Sequence, residues 1–334
     1  MPGCGTRGPA APCPSPARVF AYGAAAGLLG DLLLGDPRRG HPVAAFGRAA
    51  AAVERALWRD HRGRGALHTL LCVGGATGAA ALAARAVRRS PAASVALTAA
   101  VTWSVVGGTS LGREARAVGG ALAAGDLDVA RERLPHLCGR DPQALDGQQM
   151  ARAVVESVAE NTSDAVVGAL VWGAVAGVPG LVAFRAVNTL DAMVGHRSPH
   201  HLRYGWASAR LDDLAGWPGA RLTAALAVLA GGDPRGALRA WRADAAHHPS
   251  PNAGPVEASF AGALGVTLGG TLSYAGRVEH RAVLNGKSGR PVDVPDIERA
   301  VRLSRRVNLL ALAVCAAGRL AASYGHAYVK GRNS

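Results

Sequence analysis

The sequence predicts an all-α, polytopic integral membrane protein with its chemistry in the polar connections between apolar helices. Three observations carry that class. Residues 92–111 and 165–184 hold no charge and are long enough to span a bilayer, and 66–84 contains only His68. Strand signals are almost absent, with little alternation and few β-branched clusters other than Val. The positive charge lies in short loops flanking the apolar runs, the usual membrane pattern.

The chain has 334 residues, and residues 1–18 are Pro/Gly-rich, which predicts a disordered start. A single helical membrane domain is expected over 19–325, followed by a tail at 326–334. Apolar stretches fall at 19–35, 66–84, 92–111, 165–184, 219–232, 258–276 and 307–323, the last interrupted by Arg319. Asp31 and Asp36 argue that the first stretch is retained and is not a cleaved signal. Three runs contain GxxxG spacings, Gly74/Gly78, Gly173/Gly177 and Gly265/Gly269, which can bring helices close in lipid or arise by chance in Ala/Gly-rich sequence.

The net charge is +14, and Lys287 and Lys330 are the only lysines. So basic a balance suits nucleic acid, anionic lipid or phosphorylated substrates. Nucleic acid is excluded because few aromatics stand beside the arginines. The five cysteines are scattered without a CxxC pair, which predicts free thiols.

The connections carry the functional groups. In "AVVESVAENTSDAVVGALVWG", Glu156, Glu160 and Asp164 recur every four residues and would share a helix face. Spacing alone leaves two readings, a Mg²⁺ site of hard oxygen ligands or a solvated face with a cap for the next helix. In "FRAVNTLDAMVGHRSPH", Arg185, Asn188 and Asp191 are three apart and share a face, while His196 has no partner at metal spacing. "YGWASARLDDLAGWPGARL" supplies Arg210 and the adjacent Asp212 and Asp213. Successive helical residues diverge by about 100°, so at most one of these acids is expected to face a given site. "DAAHHPSPNAGPVEA" is a Pro-bracketed loop with His247, His248, Asn252 and Glu257, and "GDPRRGHPV" is a short connector with Asp36 and His41. "LNGKSGR" resembles the tail of a nucleotide-binding loop, but Arg281 stands where its first glycine belongs, so that motif fails.

The run 165–184 poses a geometric problem. A straight span of about 30 Å would put Glu156–Asp164 and Arg185–Asp191 on opposite sides of the membrane. "GVPG" at 177–180 is turn chemistry within the run and divides it into two short helices. The local sequence also fits an ordinary span kinked at Pro179; because one site that uses both groups of residues needs them on one side, we expect a re-entrant helical hairpin that returns Arg185 and Asp191 to Glu160 and Asp164.

Five stretches in order resemble the CobD/CbiB family of adenosylcobinamide-phosphate synthases: "GDPRRGHPV", "ESVAENTSDAVV", "FRAVNTLDAMVGH", "YGWASARLDDLAGWPGARLTA" and "HPSPNAGPVEASFAGALGV". The match covers roughly residues 20 to 325. One departure is Pro255-Val256 before Glu257, where a Trp/Tyr-Pro pair is expected. The resemblance implies a multi-pass cell-membrane enzyme that joins a carboxylate of (adenosyl)cobyric acid to 1-amino-2-propanol or its O-phosphate. ATP is the expected cosubstrate with Mg²⁺, and the corrinoid is substrate, not cofactor. On that implication Glu156, Glu160 and Asp164 hold Mg²⁺ with Asp191 or Asp212 in support. Arg185 and Arg210 bind phosphate, and Asn161, Asn188, His247 and Asn252 orient substrate. The competing class is a membrane transporter or binding protein for an anionic substrate, which would place its polar groups mid-helix.

Overall fold

The structure is a computed structural model that describes residues 15–36, 40–196, 198–274 and 277–332. Residues 1–14, most of the expected disordered start, lie outside the described residues. In chain order the helices are α1 (Pro16–Leu34), α2 (Pro42–Leu57), α3 (Arg62–Val87), α4 (Pro91–Val105), α5 (Gly108–Ala123), α6 (Leu127–Arg133), α7 (Gly147–Thr162), α8 (Gly168–Ala176), α9 (Val178–Val194), α10 (Trp206–Ala230), α11 (Pro234–Asp244) and α12 (Ala253–Leu264). A hairpin of β1 (Leu268–Tyr274) and β2 (Arg277–Leu284) follows, and α13 (Pro295–Arg332) closes the chain.

The all-α class holds, with this one antiparallel hairpin added. The run 258–276 read as a single apolar stretch because it joins the end of α12 to β1. Gly265 ends α12 in the left-handed region at φ +68°, and β1 carries a bulge between Gly269 and Thr271. Every residue of α12 is buried in protein, so its apolarity reflects a core helix and not a lipid-facing one.

Among the described residues, four segments are long and apolar enough to cross a membrane: Pro16–Leu34, Arg62–Val87, Pro91–Ala123 and Pro295–Tyr324. Only 11% of the apolar window of α3 is buried within the chain, which leaves Leu70, Leu71 and Leu82 facing outward as a lipid contact would require. The third segment is two helices, since the backbone turns extended at Val106 and α5 restarts after Gly107. Residues 165–184 and 219–232 are not among the four; most of each packs in the bundle, while Val175 and Leu229 stay exposed.

Helix α1 lies parallel to α4 at very close range. A Cβ on Gly23 would sit 2.5 Å from the Thr98 Cβ, and one on Gly27 2.5 Å from the Thr102 Cβ. The GxxxG that closes a helix pair is therefore Gly23/Gly27, which the sequence reading did not single out. Of the three pairs it named, only Gly173 sits at a close helix contact, against Leu181 and Phe20. Gly74 and Gly78 face open space, Gly177 and Gly265 are left-handed turn residues, and Gly269 sits at the strand bulge.

The core is built around α7, with Met150, Val154, Val155 and Val158 fully buried. Asp146 and Gln149 start that helix with a reciprocal capping box. After Thr162 the helix does not end at a cap. It runs on through a π-helical turn, Ser163–Val167, straight into α8. π-turns of this kind are frequent at functional sites, and this one carries Asp164.

The expected helical hairpin is present as α8 and α9. Gly177 reverses the chain at φ +66°, and Pro179 sits in the first turn of α9, where it needs no partner for a missing N–H. The two arms touch along their length: Gly168 faces Phe184, Gly173 faces Leu181, and Gly180 lies against the Trp172 carbonyl. The carbonyls of Gly173 and Ala174 near the end of α8 accept from Arg319 Nη1 at 2.8 and 2.6 Å. That accounts for the charge interrupting the last apolar run, because a guanidinium at a helix C-terminus supplies donors to the last carbonyls and complements the helix dipole.

Candidate functional site

Because α8 and α9 are antiparallel, Asp164 and Asp191 at the open ends of the hairpin return to one place. Together with Glu160 at the end of α7 and Asp212 and Asp213 near the start of α10, they line a cavity of about 500 Å³. The loop from His248 to Ala253 forms another wall, and Arg281 of β2 a third. A second compartment of about 510 Å³ adjoins it and shares Gly195, Ala209, Asp213, Pro249 and Pro251. Its own wall is basic, with Arg62, His196, His201, Arg203 and Arg210. One cleft thus has an acidic floor and a basic antechamber.

The acids are poorly compensated. Burial raises the Asp164 carboxyl well above its ordinary range, with repulsion from Glu160 and Asp212 adding to the shift. Glu160 is open to the cavity's solvent but ringed by protein, and burial raises it against the pull of Arg281 and Arg140. Burial also raises Asp191, and burial with the Asp191 charge pushes Asp212 up to about 7. Carboxylates stacked in this way hold their protons or attract a cation. Their hard oxygen donors fit Mg²⁺, although no three of the described acids here bring ligand atoms within 4.8 Å of one another. The set suits an ion shared with substrate phosphates and not an all-protein cage.

Several expected residues sit elsewhere. Glu156 is 3% exposed and lies behind the cavity wall, paired with Arg140 on one oxygen and accepting the Gly269 N–H at 2.6 Å on the other. It anchors the β-hairpin to α7 and has no oxygen left over for an ion in the cavity. Regular i, i+4 spacing put it with Glu160 and Asp164, but the Arg140 and Gly269 partners claim its carboxylate, and the π-turn changes the register only from Ser163 onward. Arg185 spends its donors on the protein: Nε donates to the Val105 carbonyl at 2.7 Å, Nη2 to the Ala165 carbonyl at 3.3 Å, and Nη1 to Asn188 Oδ1 at 3.3 Å. It therefore ties the hairpin to the broken end of α4. Asn188 in turn reaches Asp212 Oδ1 at 3.5 Å.

Asn161 donates back to the Ser157 carbonyl at 3.0 Å. Asn252 does line the cavity, but its amide is held by the Asp213 carbonyl at 2.9 Å and by Arg221 at 3.0 Å, so it positions the loop. His247 is exposed and outside the cavity; His248 faces it instead. The ring of His248 accepts the Ser250 N–H on Nδ1 at 3.1 Å, and its Nε2 stands 3.7 Å from Glu257. Glu257 is buried and raised well above its usual range by burial and by Glu156 and Glu160.

Arg210 is 71% exposed on the wall of the basic compartment, 3.8 Å from Asp213. Both Asp212 and Asp213 face the acidic cavity, against the expectation that only one would. The loop before α12 folds over this part of α10 and widens the arc of helix that lines the cleft. Sequence reasoning also passed over Arg221 and gave Arg281 only a negative role. His41 turns out to cap α2 through Nδ1, which accepts the Val43 N–H at 3.2 Å.

The CobD/Cbib protein family profile matches residues 24–304. A Mycobacterium tuberculosis protein named "Cobalamin biosynthesis protein CobD" is 53% identical over 293 residues, 86% of this chain and 92% of that protein. Proteins of the same name from Chromobacterium violaceum and Geobacter metallireducens are 45% and 43% identical, covering 84% and 83% of this chain and 90% and 89% of their own lengths. No solved structure matches the chain. A profile match over most of the length and relatives at this identity leave one conclusion, that the chain belongs to the CobD/CbiB protein family.

Proposed function

We propose that this protein acts in cobalamin biosynthesis at the cell membrane. In this reading it ligates a propionate carboxylate of (adenosyl)cobyric acid to 1-amino-2-propanol or its O-phosphate with ATP. The observation that carries the proposal is the cleft itself, a cavity of carboxylates opening onto a cavity of arginines and histidines. Carboxylate and amine do not condense unaided near neutral pH, so the acid must first be activated, most simply as an acyl phosphate.

The basic compartment supplies cations for anionic substrates, with Arg210 able to present two parallel N–H groups to a phosphate. Glu160 and Asp164, supported by Asp191, would hold Mg²⁺, which when bound neutralises phosphate charge and orients the transferring group. The corrinoid carboxylate attacks the terminal phosphate of ATP and ADP leaves. The amine then attacks the acyl carbon, phosphate leaves, and the amide forms. Asp212, held near neutrality, takes the proton that the ammonium must lose. Asn188 orients Asp212, and Asn252, fixed by Arg221, keeps the loop closed over it.

Purified protein incubated with cobyric acid, aminopropanol phosphate and Mg-ATP tests this directly. Amide product with stoichiometric ADP is expected. Binding of the corrinoid without turnover under these conditions would instead support transport.

A further inference from the structure

We propose that Glu54, His200 and His201 form a second cation site, for Zn²⁺, beside the basic compartment, whose wall includes His201. Each residue offers one ligand atom, and these atoms all lie within 4.8 Å of one another, the one such set of three among the described residues. They come from two separated parts of the chain, α2 and the turn between α9 and α10, which meet here. His201 Nε2 is 2.8 Å from Glu54 Oε1.

The arrangement exceeds what an ion pair needs. An imidazole–carboxylate pair is complete with His201 and Glu54, yet a second imidazole is held beside it. His200 is fixed by a near-parallel stack on Trp58, with ring centroids 4.2 Å apart and planes 3° from parallel. His201 is oriented from its far side, where Nδ1 lies 3.5 Å from the Ser198 hydroxyl, which also accepts the His201 N–H at 3.1 Å. A hydrogen bond to the second ring nitrogen is how ligating histidines are usually aimed. Two imidazoles and a carboxylate are a zinc set that leaves a fourth position open. They are softer donors than the all-carboxylate floor of the cleft and would select a different ion.

Coordination is balanced simply. His201 binds through the Nε2 lone pair in the tautomer whose one ring proton is on Nδ1, facing Ser198, and the carboxylate of Glu54 turns from the imidazole to the ion. The bound cation would pin the turn after α9 to α2 and add positive charge where His201 borders the basic compartment.

The test uses full-length protein purified in detergent without a polyhistidine tag, titrated with Zn²⁺ against a chromophoric chelator. One equivalent is expected to bind, with affinity lowered at least about tenfold in Glu54→Gln and His201→Ala. His200→Ala removes an exposed ring and should weaken binding similarly while leaving the melting temperature unchanged. His247→Ala should bind as wild type does. Co²⁺ should give a visible ligand-field band that is lost in His200→Ala. Equal Zn²⁺ binding by folded wild-type and His200→Ala protein, or no saturable binding by either, would overturn the proposal. Neither result depends on whether the enzyme ligates cobyric acid.

Discussion

Arg185 Nε donates to the carbonyl oxygen of Val105 at 2.7 Å, joining residues 80 apart in sequence. Val105 ends α4 where the backbone turns extended, so its carbonyl has no helical donor. The same guanidinium reaches Ala165 and Asn188, which makes it the bolt between the broken helix and both arms of the hairpin. Arg185→Ala should therefore lower the melting temperature sharply, by the loss of charge-assisted bonds worth roughly 1.5–3 kcal/mol each. A raised KM for ATP with unchanged melting would restore the phosphate-binding role.

Glu156 and Glu160 look equivalent in sequence and should behave oppositely. Glu156→Gln breaks a buried pair with Arg140 and should cost stability of order 3–5 kcal/mol, read as loss of folded protein. Glu160→Gln should fold and accumulate in the membrane but form no amide product. Near wild-type turnover in Glu160→Gln would remove it from the proposed ion site.

Arg210 is exposed, so replacing it should leave stability within about 0.5 kcal/mol. If its planar fork grips phosphate, Arg210→Lys should lose nearly as much kcat/KM as Arg210→Ala. Recovery of most of the rate by lysine would show that a point charge suffices.

Asp212 sits at about 7 against 3.8 for the free side chain. A raised pKa means that the folded protein binds the proton more tightly. The stability from this group is full below about 3.8 and is lost as pH rises through about 7. In Mg²⁺-free buffer the melting temperature should fall over that window in the wild type and less in Asp212→Asn. Ligation needs the deprotonated form, so kcat/KM should rise through the same pH. An unchanged pH–stability slope in Asp212→Asn would refute the assignment.

Gly180 has no room for a side chain. A Cβ there would stand 2.0 Å from the Trp172 carbonyl oxygen, a backbone atom in the facing arm. Gly180→Ala should force the arms apart and abolish folded protein, whereas Gly74→Ala, which meets nothing within 4 Å, should be tolerated. Normal accumulation of Gly180→Ala would mean that the arms do not pack as closely as the hairpin requires.

The sequence by itself determined the helical membrane class, because several long apolar runs with few charges and almost no strand signal have few other physical uses, although one such run, 165–184, folds as the hairpin and not as a span. For the hairpin the sequence supplied turn chemistry at Gly177 and Pro179 that fits a kinked span as well as a reversal, and the positive φ of Gly177 in the folded chain decided between them. The acids Glu160, Asp164, Asp191 and Asp212 stood out as charges near apolar runs, but their spacing left an ion site and a solvated face both open, and only packing brought them to one cavity. Tertiary structure alone decided which charges face the cavity and which face the protein. Regular helical spacing grouped Glu156 with Glu160, but the Arg140 and Gly269 partners turn Glu156 into the protein. Arg185 looked like a phosphate ligand until the carbonyl left at Val105 claimed it. His248 rather than His247 reaches the cavity because one residue along a turn changes the side chain's direction entirely. The β-hairpin also escaped the sequence, since pairing β1 with β2 depends on partners that local periodicity does not report. Local pattern encodes what each segment must bury; only the packed chain assigns each buried polar group its partner.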